Sequence, residues 1–218
     1  MKLFFYDCET TGLDKERCAI HQLSGKIKID GKTVETFDFH IKPFENAQID
    51  EGALAVAHVT EQEIMNYTPG EEVYRQLCEI LYKYLGRDAV FSKNPWDKFV
   101  TVGYNNAGFD DEFLWWFFKR YHSIPVCGMK QGFSKGNLFN KYLTLDVMRM
   151  AQMIIGPSDA PKPENFKLGT VAKYVFGGEF IDESKLHGAD YDIDTTINLF
   201  NVFYKQYITR YQVPQVNG

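Results

Sequence analysis

The segment Phe5-Tyr6-Asp7-Cys8-Glu9-Thr10-Thr11-Gly12-Leu13 constrains this chain more than any other. Residues 2–7 read as an apolar strand, and in a strand residues two apart share a face, so Asp7 and Glu9 project together. Two carboxylates at the end of an apolar strand repel each other unless something positive sits between them. A hard divalent cation such as Mg²⁺ suits that position, because it takes oxygen ligands and keeps several waters. On its own the pair also fits a plainer description, two exposed acids at a solvated strand end.

The surrounding pattern places that strand in an α/β domain. Residues 24–30 and 33–42 are two further strand-like runs joined at Asp30-Gly31-Lys32, and Asp-Gly between alternating runs predicts a hairpin. Helical spacing over 71–85 sets Val73, Leu77, Ile80, Leu81 and Tyr84 on one stripe, ending at Gly86. A short buried strand is expected at 99–104 and a helix over 110–121. Residues 128–141 are rich in Gly, Lys and Asn and are expected to form a long loop. A strand at 142–145, helices near 147–154 and 167–175, and a last helix over 189–211 follow. A hairpin sheet followed by alternating helices and strands predicts a mixed sheet. One domain over 1–212 with a frayed tail at 213–218 accounts for the length.

Two more clusters carry chemistry. Asn105-Asn106-Ala107-Gly108-Phe109-Asp110 sets a carboxylate just after a strand and at the start of a helix. An N-cap is the commonest job for such an Asp, and Asp111 and Glu112 suit the first turn of a helix by its dipole. His187-Gly188-Ala189-Asp190-Tyr191-Asp192 brings a histidine just ahead of a helix whose first turn holds an acid. Histidine is the side chain whose ordinary pKa suits general-base work near neutral pH. A surface histidine before an acid-rich helix start would look the same.

Taken together, Asp7, Glu9, Asp110, His187 and Asp192 resemble the DEDDh (DnaQ-like) branch of the DEDD 3′–5′ exonuclease superfamily, in this order and context. The family patterns are DxETTGL, NxxFDxxFL and HxAxxD; this chain carries them at 7–13, 106–114 and 187–192. Residues 53–60 resemble the family's ALxVxGIT segment, with Ala57-His58 where the family has Asn or His followed by Gly. The loop 123–142 and the segment Lys93-Asn94-Pro95-Trp96 have no counterpart.

The resemblance implies a ribonuclease H-like three-layer fold, a central mixed β-sheet with helices on both faces. It implies that Asp7, Glu9, Asp110 and Asp192 hold two divalent cations, Mg²⁺ with Mn²⁺ as the alternative, about 3.5–4 Å apart astride the scissile phosphate. His187 would take the proton from the attacking water. Thr10, Thr11, Gly12 and Leu13 would meet the strand end, Thr10 at the terminal 3′-OH and Leu13 as a wedge between the last two bases. Asn106 and Phe109 are further candidates for substrate contact. In Trp115-Trp116-Phe117-Phe118 the two Phe rings are expected in the core, and the Trp rings are open to stacking on a base or to a partner.

Composition sets bounds on partners. The net charge of −5 argues against a general nucleic-acid binder, although two divalent cations at the site would offset most of it. With few candidate phosphate contacts, a shallow salt dependence and short substrates or distributive action are expected. The four cysteines form no CxxC pair, which points away from a zinc knuckle or disulfide framework. No apolar run approaches a membrane span, and with no signal-like N-terminus the expected setting is cytoplasmic. The family resemblance implies single-stranded or 3′-end nucleic acid, DNA or RNA, as the partner, with a DNA polymerase or a second copy as further partner readings. Two rivals share the acids: a catalytically silent binding module of the same fold, and a ribonuclease H-type endonuclease that would not need His187 or the 10–13 turn. Asp146 is read as structural, and it and Asp194 are the acids most easily mistaken for ligands.

Overall fold

The computed structural model describes residues 1–178, 181–182 and 189–211. Strands β1 (Lys2–Thr10), β2 (Ile20–Ile29) and β3 (Lys32–Lys42) form an antiparallel meander. Its hairpin turns at Asp30 and Gly31, both at positive φ (48° and 82°), as an Asp-Gly two-residue turn requires. Helices α1 (Glu51–Val56) and α2 (Glu61–Ile64), the two-residue β4 (Thr68–Pro69) and the long α3 (Gly70–Phe91) follow. Then come β5 (Phe99–Gly103), α4 (Asp110–Tyr121), the single turn α5 (Lys135–Leu138), β6 (Phe139–Asp146), α6 (Val147–Ile155), α7 (Leu168–Phe176) and α8 (Ala189–Tyr211). Among the described residues the six strands lie in the order β4-β3-β2-β1-β5-β6. β5 and β6 run parallel to β1, so the sheet is mixed, as the sequence predicts.

The two faces of β1 seed two cores. Phe4, Tyr6 and Cys8 pack with α3, α4 and the rings of Phe99, Phe118 and Phe139. Leu3 and Phe5 pack with α6, α7 and α8, where Phe5 meets Phe200 edge-on at 5.3 Å between ring centres. Asp7 and Glu9 continue the Leu3–Phe5 face. The β1–β5 pairing runs only from Leu3↔Val100 to Phe5↔Val102. The last residues of β1 therefore project beyond their parallel neighbour, at the carboxyl end of the sheet, where open α/β sheets bind ligands.

Several boundaries differ from the sequence expectation for physical reasons. β2 starts at Ile20 rather than residue 24, extended by pairing through a bulge at Glu9/Thr10. Gly86 leaves helical geometry (φ 75°, ψ 167°) where the first segment of α3 was expected to end, and the helix resumes to Phe91. Part of the expected loop 128–141 is ordered as α5, and β6 begins at Phe139. Helices α1 and α2 follow from local caps: Asp50 accepts from the N–H groups of Gly52 and Ala53, and Thr60 with Glu63 forms a capping box. His58 sits at φ 55°, in the left-handed region that favours glycine, at the position where the family pattern carries Gly.

Candidate active site

Asp110 does not cap its own helix. The residue before α4, Phe109, supplies no side-chain cap, and Asp110 is the first helical residue. Its Oδ1 instead accepts the backbone N–H of Cys8 at 3.1 Å, which fixes a carboxylate from α4 beside the end of β1. The neighbouring acid is tied elsewhere. Asp111 Oδ1 accepts from the Tyr6 hydroxyl at 2.6 Å and pairs with Lys135 Nζ at 3.0 Å, on the far side of the β1 backbone. Of two adjacent aspartates, the fold turns one toward the Asp7–Glu9 end and neutralises the other.

Asp192, in the first turn of α8, joins the same cluster: its charge acts on both Asp7 and Glu9. Lys26 on β2 anchors this end of the helix by pairing with Asp194 Oδ1 at 2.6 Å. That leaves Asp194 a structural partner. Asp146 is structural too, since its Oδ1 accepts from the N–H groups of Met148, Arg149 and Asn105.

The electrostatics report four like charges brought together in a poorly solvated place. Burial and then the Asp192 charge raise Asp7 to about 6. Burial, Asp7 and Asp192 raise Glu9 to about 7. Asp110 is held well above the usual carboxylate range by burial and Asp7, an effect its backbone hydrogen bonds only partly oppose. Among the described groups acting on Asp7 and Glu9 there is no lysine or arginine.

Among the described residues, no three His, Cys, Asp or Glu side chains stand in a geometry that would hold a metal ion. The donor chemistry nevertheless fits hard divalent cations: carboxylate oxygens alone, withdrawn from water and repelling one another, with no cation among the described residues acting on Asp7 or Glu9. His187 lies outside the described residues.

The turn after β1 is braced on both sides. Thr11 Oγ1 donates to the Gln48 carbonyl at 2.7 Å and accepts from Ala19 N–H at 2.9 Å, while Asp50 N–H donates to the Thr11 carbonyl at 2.7 Å. Thr10 Oγ1 donates to the Gly12 carbonyl at 2.8 Å. A Cβ on Gly12 would lie 2.7 Å from Cys18 Sγ, so glycine is needed there for space. This rigid turn holds Leu13 out in solvent at 85% exposure. Leu13 and Phe109 line one cleft of about 450 Å³ together with Lys15 and Glu112, which pair across it at 2.7 Å. Gln48 and Asp50, which brace this turn, were missed from the sequence; only the Asx-type cap at Asp50 could have signalled the second.

Asn106 is placed differently from the other substrate candidates. It is buried, packs against Gly103 and donates from Nδ2 to Thr144 Oγ1 at 3.2 Å, holding the strand-to-helix turn together. Phe117 and Phe118 are in the core as expected, while Trp115 is 44% exposed.

Residues 4–200 match the sequence model of the RNase T exonuclease family. Among curated proteins, the chain is 26% identical over 196 residues to a PolC-type DNA polymerase III of Mycoplasmopsis pulmonis, covering 89% of this chain and 11% of that protein. It is 23% identical over 199 residues to ribonuclease T of Photorhabdus laumondii subsp. laumondii, covering 89% and 79%. Among solved structures, E. coli exonuclease I in complex with a dT13 oligonucleotide superposes with a TM-score of 0.70 at 19% identity. That match covers 97% of this chain and 42% of exonuclease I, and it is a likeness of fold.

Proposed function

The chain belongs to the RNase T exonuclease family, the DnaQ-like group of ribonuclease H-like fold, and from that premise we propose that it removes nucleotides from the 3′ ends of nucleic-acid strands. The observation that carries this reading is the convergence of Asp7, Glu9, Asp110 and Asp192 beside a braced turn that presents Leu13. The family uses divalent metal ions. Here the four carboxylates would hold two of them, Mg²⁺ or Mn²⁺, as all-oxygen ligands. Such cations lower the pKa of an attacking water and neutralise charge on the phosphate.

The remaining work falls to this chain's own residues. Asp110, fixed by the Cys8 N–H, keeps its carboxylate aimed at the β1 end. Thr10, Thr11 and Gly12 form the stiff support on which Leu13 enters between the last two bases. Phe109 and Leu13, as walls of one cleft, position the terminal nucleotide. His187 accepts the proton of the attacking water, a role its place five residues before Asp192 supports. Residues 1–212 act as one catalytic unit. The PolC-type relative supports a DNA polymerase as a protein partner, which co-purification of the two would test.

A time course on 3′-labelled and 5′-labelled DNA and RNA oligonucleotides, with Mg²⁺, Mn²⁺ or EDTA, tests the activity beside an Asp7→Ala protein. A metal-dependent ladder shortening from the 3′ end, absent in the variant, is expected. Wild type that binds the oligonucleotides with metal present and leaves them whole would replace this reading with a silent binding module.

A further inference from the structure

A second cleft, of about 420 Å³, opens on the other side of α4 from the one that Leu13 and Phe109 line. Asp111 and Trp115, one turn apart, form its α4 wall, and the opposite wall is the start of β6. Between the pairs Phe99↔Phe139 and Thr101↔Thr144, β6 advances five residues while β5 advances two, so three extra residues bulge from the sheet edge. Bulges at sheet edges re-aim side chains and recur beside functional sites. This one turns Lys141 and Tyr142 outward, with Tyr142 at 74% exposure and Lys141 Nζ 4.8 Å from its ring centre.

The bulge is held by Asn140, whose Oδ1 accepts the N–H groups of Tyr142 and Leu143 at 2.9 and 3.1 Å. That side chain is only 7% exposed and lines the cleft, and its Nδ2 is buried with no partner among the described residues. A buried amide donor left unmade is costly. Set in the wall of the cleft, this amide is a donor that an acceptor from outside the protein would satisfy.

We propose that this cleft holds one nucleotide of the substrate strand outside the catalytic site. The base stacks on Trp115 and Tyr142, a base carbonyl or ring nitrogen accepts from Asn140 Nδ2, and Lys141 meets the backbone phosphate. Aromatic faces with an adjacent amine are how single strands are held without sequence preference. Lys135, committed to Asp111, walls the cleft rather than contacting phosphate. Asp111 directly follows Asp110 but faces the other side of β1, so the cleft lies across that strand from the acid cluster. The inference rests on nucleic acid being the substrate.

The test separates the two. The p-nitrophenyl ester of thymidine 5′-monophosphate reports on the catalytic site alone, and a single-stranded oligonucleotide of roughly 12 nucleotides reports on both. For Tyr142→Ala, KM for the oligonucleotide rises roughly 5- to 100-fold, the ester is turned over as by wild type, and Tyr142→Phe restores the oligonucleotide KM. Equal KM in wild type and Tyr142→Ala, or an equal loss on the ester, overturns the cleft. So does a variant that keeps its KM while losing self-association by light scattering, which would make the face a contact between copies. If wild type hydrolyses neither substrate, the exonuclease reading fails, and anisotropy of the labelled oligonucleotide still decides the cleft. Weaker binding by Tyr142→Ala keeps it; unchanged binding removes it.

Discussion

The backbone N–H of Cys8 donates to Oδ1 of Asp110 at 3.1 Å, joining the central strand to the first residue of α4 across 102 positions of sequence. The bond selects Asp110 over Asp111 as the acid facing Asp7 and Glu9, because Tyr6 and Lys135 hold Asp111 on the opposite side. A single strand segment thus sorts two adjacent carboxylates: its backbone takes one and its tyrosine takes the other.

Asp110→Asn keeps an acceptor for Cys8 but removes the charge, so it should fold with near wild-type thermal stability. Its oligonucleotide turnover should fall by more than about 100-fold, since residues that merely support a metal ligand already cost 10- to 100-fold. Full activity in this variant, measured with saturating Mg²⁺, would remove Asp110 from the site.

Asp7 is raised to about 6 by burial and the Asp192 charge, and Glu9 to about 7 by burial and the charges of Asp7 and Asp192. In the window between the ordinary carboxylate pKa of about 4 and these values, the folded state binds more protons than the unfolded chain. Stability in EDTA should therefore fall as pH rises from about 4 to 7. Cation binding needs the deprotonated acids, so the Tm gain from Mg²⁺ or Mn²⁺ should be larger at pH 8 than at pH 5.5. Scanning fluorimetry at both pH values checks the sign, and a cation gain independent of pH would contradict the assignment.

Leu13 is almost fully exposed, so Leu13→Ala should leave the denaturation midpoint within about 0.5 kcal/mol of wild type. Its proposed role is toward the strand end. Burying that side chain between bases is worth up to about 1.5–3 kcal/mol, and kcat/KM on oligonucleotides should drop accordingly. A stable variant with unchanged kcat/KM would show that the turn presents something other than a wedge.

Lys98 is a buried lysine whose Nζ donates to the carbonyls of Ala89 and Val90 at 2.7 Å and of Asn137 at 2.9 Å. It closes the end of α3 onto α5. Lys98→Met preserves the stem and abandons three acceptors, so unfolding free energy should fall by roughly 3 kcal/mol or more in urea titration. Activity at low temperature should persist, because Lys98 is remote from the acids in chemistry and role.

Local chemistry was legible in the sequence because it is set by short spacing. The alternation of β1 put Asp7 and Glu9 on one face, Asp30-Gly31 made the hairpin, and the spacing of apolar residues over 110–121 gave the buried stripe of α4. What one segment's periodicity cannot report is which faces of distant elements meet. Packing of Phe5 on Phe200 brings α8 over β1, and with it Asp192 to within electrostatic reach of a carboxylate 185 positions earlier (192 − 7). Sheet register, not sequence, produced the bulge in β6 that exposes Tyr142 and sinks Asn140. The Tyr6–Asp111–Lys135 network and the burial of Asn106 against Gly103 likewise exist only once the α4 end of the sheet is closed. The sequence alone determined which chemical groups this protein carries and which face of its own element each one takes. The tertiary structure decided which of those groups stand together, because that depends on side-chain packing between elements more than a hundred residues apart.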